Sequence, residues 1–157
     1  MLSPQVTHET QPASAPAVLA WTRLLRAYSA TARCLSPALL EEHGLTLNDY
    51  EALKLLADAE GRRMRRVDLA AALSLSASGV TRLLEGLEED GLVERATCPH
   101  DRRVAYAQLT DEGAARLRAA SCGHAASIRG LLEESLTEVE LEELAGLLGK
   151  VAGEEVA

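Results

Sequence analysis

Two rhythms of apolar and polar residues run along this chain. The longer stretches follow a helical spacing: Val18, Trp21, Leu25, Tyr28, Ala32, Leu35 and Leu39 step by threes and fours, which lines side chains up on one stripe of a helix. This predicts a long first helix, with Pro37 kinking it or splitting off its last turn and Gly44 closing it. Thr46 then opens a second helix carrying Tyr50, Leu53, Leu55 and Leu56, and Gly61-Arg62-Arg63 marks the next turn. From Val67 to Glu88 two short helices follow. Leu69 and Leu73 lie inside the first, a turn falls around Ser74, and Ser76 caps the second, whose Val80, Leu83, Leu84 and Leu87 share one face. Ser78, Thr81, Arg82 and Glu85 fall on the opposite face.

The second rhythm is the strand period. Gly91 ends the preceding helix, Leu92-Val93-Glu94-Arg95 starts a short strand, and Val104-Ala105-Tyr106-Ala107-Gln108-Leu109 alternates as its return. The loop Thr97-Cys98-Pro99-His100-Asp101-Arg102-Arg103 joins them into a two-stranded wing with a charged tip. Thr110-Asp111-Glu112-Gly113 begins a long helix running towards Leu132. Thr137-Glu138-Val139-Glu140 is a capping box ahead of a last helix with Leu141, Leu144, Leu148 and Val151 on one stripe. Residues 1–16, with Pro4, Pro12 and Pro16, read as a flexible tail. The expected fold is mainly α: about six helices plus a two-stranded wing. Residues 45–110 form a winged helix-turn-helix unit, and residues 17–44 with 111–157 form a helical dimerisation region.

Charge alters this picture less than it first suggests. A net charge of −8 and a pI near 5.0 argue against a nucleic-acid partner. From Arg62 to Arg103, however, eight arginines face seven acids, a net of +1, while the rest of the chain carries −9. Positive charge is thus concentrated around the helix-turn-helix and wing, and it comes from arginine, whose planar fork suits phosphates and guanine edges. Ser76, Ser78 and Thr81 are short enough to let the helix approach bases, and Arg82 can reach guanine. Asp101 can hold Arg103 and stiffen Arg102 and Arg103 for a narrow minor groove, with Arg95 at the wing base.

The order of these parts resembles the MarR family of bacterial winged-helix regulators. The resemblance rests on Ser78-Gly79-Val80-Thr81-Arg82-Leu83, Leu87-Glu88 followed by Gly91-Leu92-Val93-Glu94-Arg95, Asp101-Arg102-Arg103, and Leu109-Thr110-Asp111-Glu112-Gly113, and it extends over roughly residues 18–151. It implies a homodimer on a pseudo-palindromic operator in double-stranded DNA, usually repressing until a small molecule or oxidant releases it. The DNA-binding residues expected are Ser76, Ser78, Thr81, Arg82, Arg95, Asp101, Arg102 and Arg103. The family's small aromatic effectors suggest a pocket drawing on Trp21, Arg26, Tyr28 and Tyr50.

Other classes fare worse. Cys98, His100 and Asp101 lie too close together in a tight loop to form an oriented catalytic triad, and no glycine-rich phosphate loop is present; no enzyme activity or cofactor is expected. Cys98-x-His100 and Cys122-x-His124 resemble zinc half-sites, but they belong to separate elements, and no metal site is assigned. Three cysteines do not make a disulfide framework, and Cys34, Cys98 or Cys122 would have to carry any redox response. No stretch is apolar enough to span a bilayer and no signal peptide is evident, so a cytoplasmic protein without a membrane partner is expected. The competing readings are a redox-responsive regulator and a winged helix serving only protein interaction.

Overall fold

A computed structural model describes residues 15–97 and 105–153. The chain runs α1 (Ala15–His43), α2 (Leu47–Asp58), a 3-10 turn (Glu60–Arg62), β1 (Arg63–Arg65), α3 (Arg66–Ala72), α4 (Ala77–Glu89), β2 (Val93–Thr97), β3 (Ala105–Leu109), α5 (Asp111–Glu133) and α6 (Glu138–Ala152). The helix starts fall where the threonines and serines predicted them. Thr46 and Asp49 form a capping box at α2, the Ser76 hydroxyl accepts the Gly79 N–H at 3.1 Å, and Thr110 accepts that of Gly113 at 3.0 Å. Thr137 and Glu140 form a second capping box at α6. Two helix ends follow the glycine rule as well, with Gly44 at φ 68° and Gly91 at φ 70°.

Two features differ from the sequence reading. Pro37 does not split α1, which is one helix from Ala15 to His43; Leu39, just beyond the proline, is fully buried and holds the last turns in place. The sheet has three strands rather than two, in the antiparallel order β1-β3-β2. Arg63 pairs with Gln108 and Arg65 with Tyr106, while Val93 pairs with Leu109 and Thr97 with Ala105. β1 completes the free edge of β3 with three residues, too short a run to show alternation in the sequence.

The core lies within the winged-helix unit and where α1, α2 and α5 meet. Leu53, Leu56, Leu69, Leu84 and Leu92 are completely buried, joined by Leu39, Leu45, Leu109 and Leu117. Outside it, the N-terminal half of α1 leaves Val18, Leu19, Trp21, Leu25 and Tyr28 uncovered, and α6 has no buried residue at all.

Candidate DNA-binding site

α3 and α4 meet at a bend of 107°, within the range of a helix-turn-helix, roughly 90–120°. The turn between them works because Ser74 takes up φ 54° and the Leu75 N–H returns to the Ala70 carbonyl at 2.9 Å. α4 is strongly two-sided. Val80, Leu84 and Leu87 face the core, while Ser76, Ser78, Arg82 and Glu85 are exposed and Thr81 is half-exposed beside them.

The hydroxyls on that outer face are ordered. Ser76 Oγ lies 3.1 Å from Ser78 Oγ while accepting the Gly79 N–H, and Thr81 donates to the Ala77 carbonyl at 2.7 Å. Thr81 thus spends its hydroxyl proton within the helix and keeps its oxygen lone pairs as acceptors. Arg82 forms no ion pair with Glu85 among the described residues, contrary to the pairing that their i, i+3 spacing suggests, and both remain exposed. On an exposed helix face such a pair gains only about 0.2–0.5 kcal/mol, too little to hold a long arginine in one place.

The neighbouring arginines are largely engaged. Arg65 is clamped by both oxygens of Asp68, at 2.6 and 2.8 Å, and this carboxylate raises the arginine's already high pKa. Arg62 reaches Asp111 at 3.1 Å, and the Arg63 guanidinium lies 5.4 Å from the centre of the Tyr106 ring. Arg95, expected at the wing base, is 3.8 Å from Glu88 and ties β2 to the end of α4. The Arg65–Asp68 clamp was missed in the sequence reading, although the i, i+3 spacing at the start of a helix is the signal that would have found it. Residues 98–104, and with them Cys98, His100, Asp101, Arg102 and Arg103, lie outside the described residues.

The four expected effector residues do not gather around one cavity of a single chain. Trp21 and Tyr28 are 60% and 64% exposed on the free face of α1, and Arg26 is exposed on the same helix. Tyr50 is buried in α2, with its hydroxyl 3.3 Å from Ser121 Oγ and its ring edge-on to His124 at 4.6 Å. A cavity of about 80 Å³ beside α1 is lined instead by residues of its C-terminal turns, including Leu39, Glu42 and His43, and by Gly123, His124 and Ser127 of α5. Cys34 and Cys122 are exposed free thiols on α1 and α5.

The family model described as "MarR family" matches residues 43–104, which span α2 to the wing. AbsC, a MarR family transcriptional regulator from Streptomyces coelicolor, is 34% identical with a TM-score of 0.78, the match covering 92% of this chain and 97% of AbsC. This chain belongs to the MarR family. A second MarR family regulator from the same organism, Sco3205, solved in complex with DNA, is 30% identical with a TM-score of 0.81, over 92% of this chain and 91% of that one. The HTH-type transcriptional repressor YetL of Bacillus subtilis (strain 168) is 36% identical over 90 residues, 57% of this chain and 54% of YetL. The chain thus spans about half the length of that curated MarR-type relative. It has the winged helix-turn-helix fold of MarR regulators. Among the described residues, no single helix is long and apolar enough to cross a membrane.

Proposed function

We propose that this chain is a homodimeric, sequence-specific DNA-binding repressor whose α4 enters the major groove. The observation that carries this reading is the outer face of α4, where exposed Arg82 and ordered hydroxyls of Ser76, Ser78 and Thr81 stand at the N-terminal end of the second helix of a helix-turn-helix. Glu85 and Glu89, further along the exposed surface of α4, keep the helix's C-terminal half away from phosphates, so the first turns do the reading. Arg95 steadies the wing base, Arg102 and Arg103 of the wing loop meet the minor groove, and Asp101 holds Arg103 for that contact.

Dimerisation follows from the uncovered helices. A helix of 15 residues is only marginally stable alone in water, and α6 buries no side chain while exposing Val139, Leu144, Leu147, Leu148 and Val151. Residues 17–44 and 111–157 act as the dimerisation region, and a two-fold axis would set two α4 helices about one DNA turn apart, roughly 34 Å. Release comes from a small aromatic effector that binds better to a dimer whose α4 spacing no longer fits the operator. Trp21 and Tyr28, on the free face of α1, contribute to its pocket only once the second copy covers them, with Arg26 supplied from the same helix and Tyr50 backing it from α2.

The test is fluorescence anisotropy with the full chain on DNA flanking its own gene and on a scrambled duplex, over a salt series. Selective binding that weakens steeply with salt and loses its selectivity in Arg82→Ala supports the proposal. Equal binding to both duplexes, or selectivity unchanged in Arg82→Ala, contradicts it.

A further inference from the structure

The arginines between residues 62 and 66 differ sharply in what they touch. Arg62, Arg63 and Arg65 are engaged by Asp111, Tyr106 and Asp68. Arg66 is half-buried and makes no hydrogen bond or ion pair among the described residues, and its Nη2 is enclosed without an acceptor. A guanidinium partly withdrawn from water without a partner is held at a cost that an anion would offset.

The surroundings show where that anion would come from. Arg66 lines an open, mostly apolar groove where α3 meets α4, together with Val67, Ala71, Leu75, Ala77 and Thr81. Among the described residues, no acidic side chain lines this groove. Ala71 and Ala77 are small enough to let a bulky chain approach, and Ala77 and Thr81 belong to the first turns of α4. Arg66 therefore opens on the side of the reading surface. In a helix-turn-helix the first helix crosses the DNA backbone when the second occupies the groove.

We propose that Arg66 is the phosphate anchor of this helix-turn-helix, taking a backbone phosphate of bound DNA at the α3–α4 groove and so fixing the depth and register of α4. It is a positioning residue and reads no base. The inference rests on the DNA-binding reading and adds a contact outside the residues assigned to it.

The experiment measures binding of the full chain to a duplex of random sequence and to a duplex selected by the chain itself, over a salt series, for the unaltered protein, Arg66→Met, Arg66→Lys and Arg62→Met. Arg66→Met should weaken binding to both duplexes by the same factor, on the order of tenfold. The slope of log affinity against log salt should become shallower by about 0.9 per lost contact, or about 1.8 for a dimer. Arg66→Lys should recover most of the affinity, and Arg62→Met should change the slope least. Thermal unfolding supplies a readout that a purely structural role would move the other way: removing an unpaired, partly buried guanidinium should leave the melting temperature unchanged or raise it. Unaltered affinity and slope in Arg66→Met overturn the proposal, as does a loss confined to the selected duplex or a fall in melting temperature with the slope unchanged. Failure of the unaltered chain to bind either duplex overturns this proposal and the DNA-binding reading together, whereas binding with a silent Arg66→Met overturns this one alone.

Discussion

Gly113, the third residue of α5, is pressed against the strand that leads into the wing. An alanine there would drive its Cβ into the Leu92 carbonyl oxygen, and would bring it within 2.9 Å of the Leu92 carbonyl carbon and 2.8 Å of Leu109 Cδ1. The leucine tip can turn aside, but the carbonyl is fixed, since it accepts the Thr110 N–H at 3.1 Å and lies 3.1 Å from the Thr110 hydroxyl. Making room loosens the Thr110 N–H bond to this carbonyl, contributing about 1 kcal/mol, and displaces a fully buried leucine, with overpacking strain of about 1–3 kcal/mol. Alanine's better helix propensity returns about 1 kcal/mol. Gly113→Ala should therefore destabilise the protein by about 1–3 kcal/mol. Gly86 is the internal control: it lies mid-helix in α4 and a Cβ there meets nothing within 4 Å, so Gly86→Ala should stabilise by about 0.5–1 kcal/mol. Urea unfolding followed by far-ultraviolet circular dichroism, at one protein concentration because subunit association contributes to stability, reads both. A Gly113→Ala protein as stable as the parent, or two glycine changes of the same sign and size, would refute the reasoning.

Three further outcomes follow from the same geometry. Arg82→Ala should lose about 1–3 kcal/mol of discrimination between a selected and a random duplex, measured by competition anisotropy; an unchanged ratio would remove Arg82 from base reading. Leu144→Glu combined with Leu148→Glu should yield a monomer by analytical ultracentrifugation, with reduced helicity because α6 then has nothing to cover it; a stable dimer of full helicity would place the interface elsewhere. Burial holds the His124 imidazole below its ordinary pKa, with Glu51 pulling weakly the other way, so the unfolded chain takes up this proton at higher pH than the folded one. Stability should therefore fall as the pH drops below about 6.5 and level off beneath the folded-state value. In His124→Phe this slope should flatten in urea titrations across that window, and an unaltered slope would assign the pH dependence to other groups.

Most of the fold was legible because its helix boundaries are written in short-range chemistry. Thr46, Ser76, Thr110 and Thr137 each carry a hydroxyl that satisfies a free N–H three residues on, and Gly44 and Gly91 adopt left-handed backbone where helices end. Such signals need no knowledge of the rest of the chain. β1 does need it: Arg63-Met64-Arg65 is a strand only because β3 offers a free edge, a fact about residues some forty positions later. Pro37 alone predicts a kink or a split last turn, yet α1 continues past it, because the burial of Leu39 outweighs the one helical hydrogen bond that proline removes. The candidate site divides in the same way. The exposed face of α4 follows from its periodicity, and the Arg65–Asp68 pair from its i, i+3 spacing, whereas the engagement of Arg62 and Arg63 depends on Asp111 and Tyr106, which only the fold brings near them. Tyr50 shows the same dependence: its contacts with His124 and Ser121 join α2 to α5 across some seventy residues and are invisible to local pattern.

The central claim is that two copies of this chain read DNA through paired α4 helices. Hydroxyl-radical footprinting of the full chain on a duplex it has selected tests this most directly, because it reports the symmetry and the spacing of the contacts in one experiment. The account predicts two protected patches related by a two-fold axis, their centres about one helical turn apart, roughly 34 Å, with both becoming fainter in Arg82→Ala at equal protein concentration. A single unsymmetrical patch, or no protection at concentrations where the chain is fully dimeric, would contradict it.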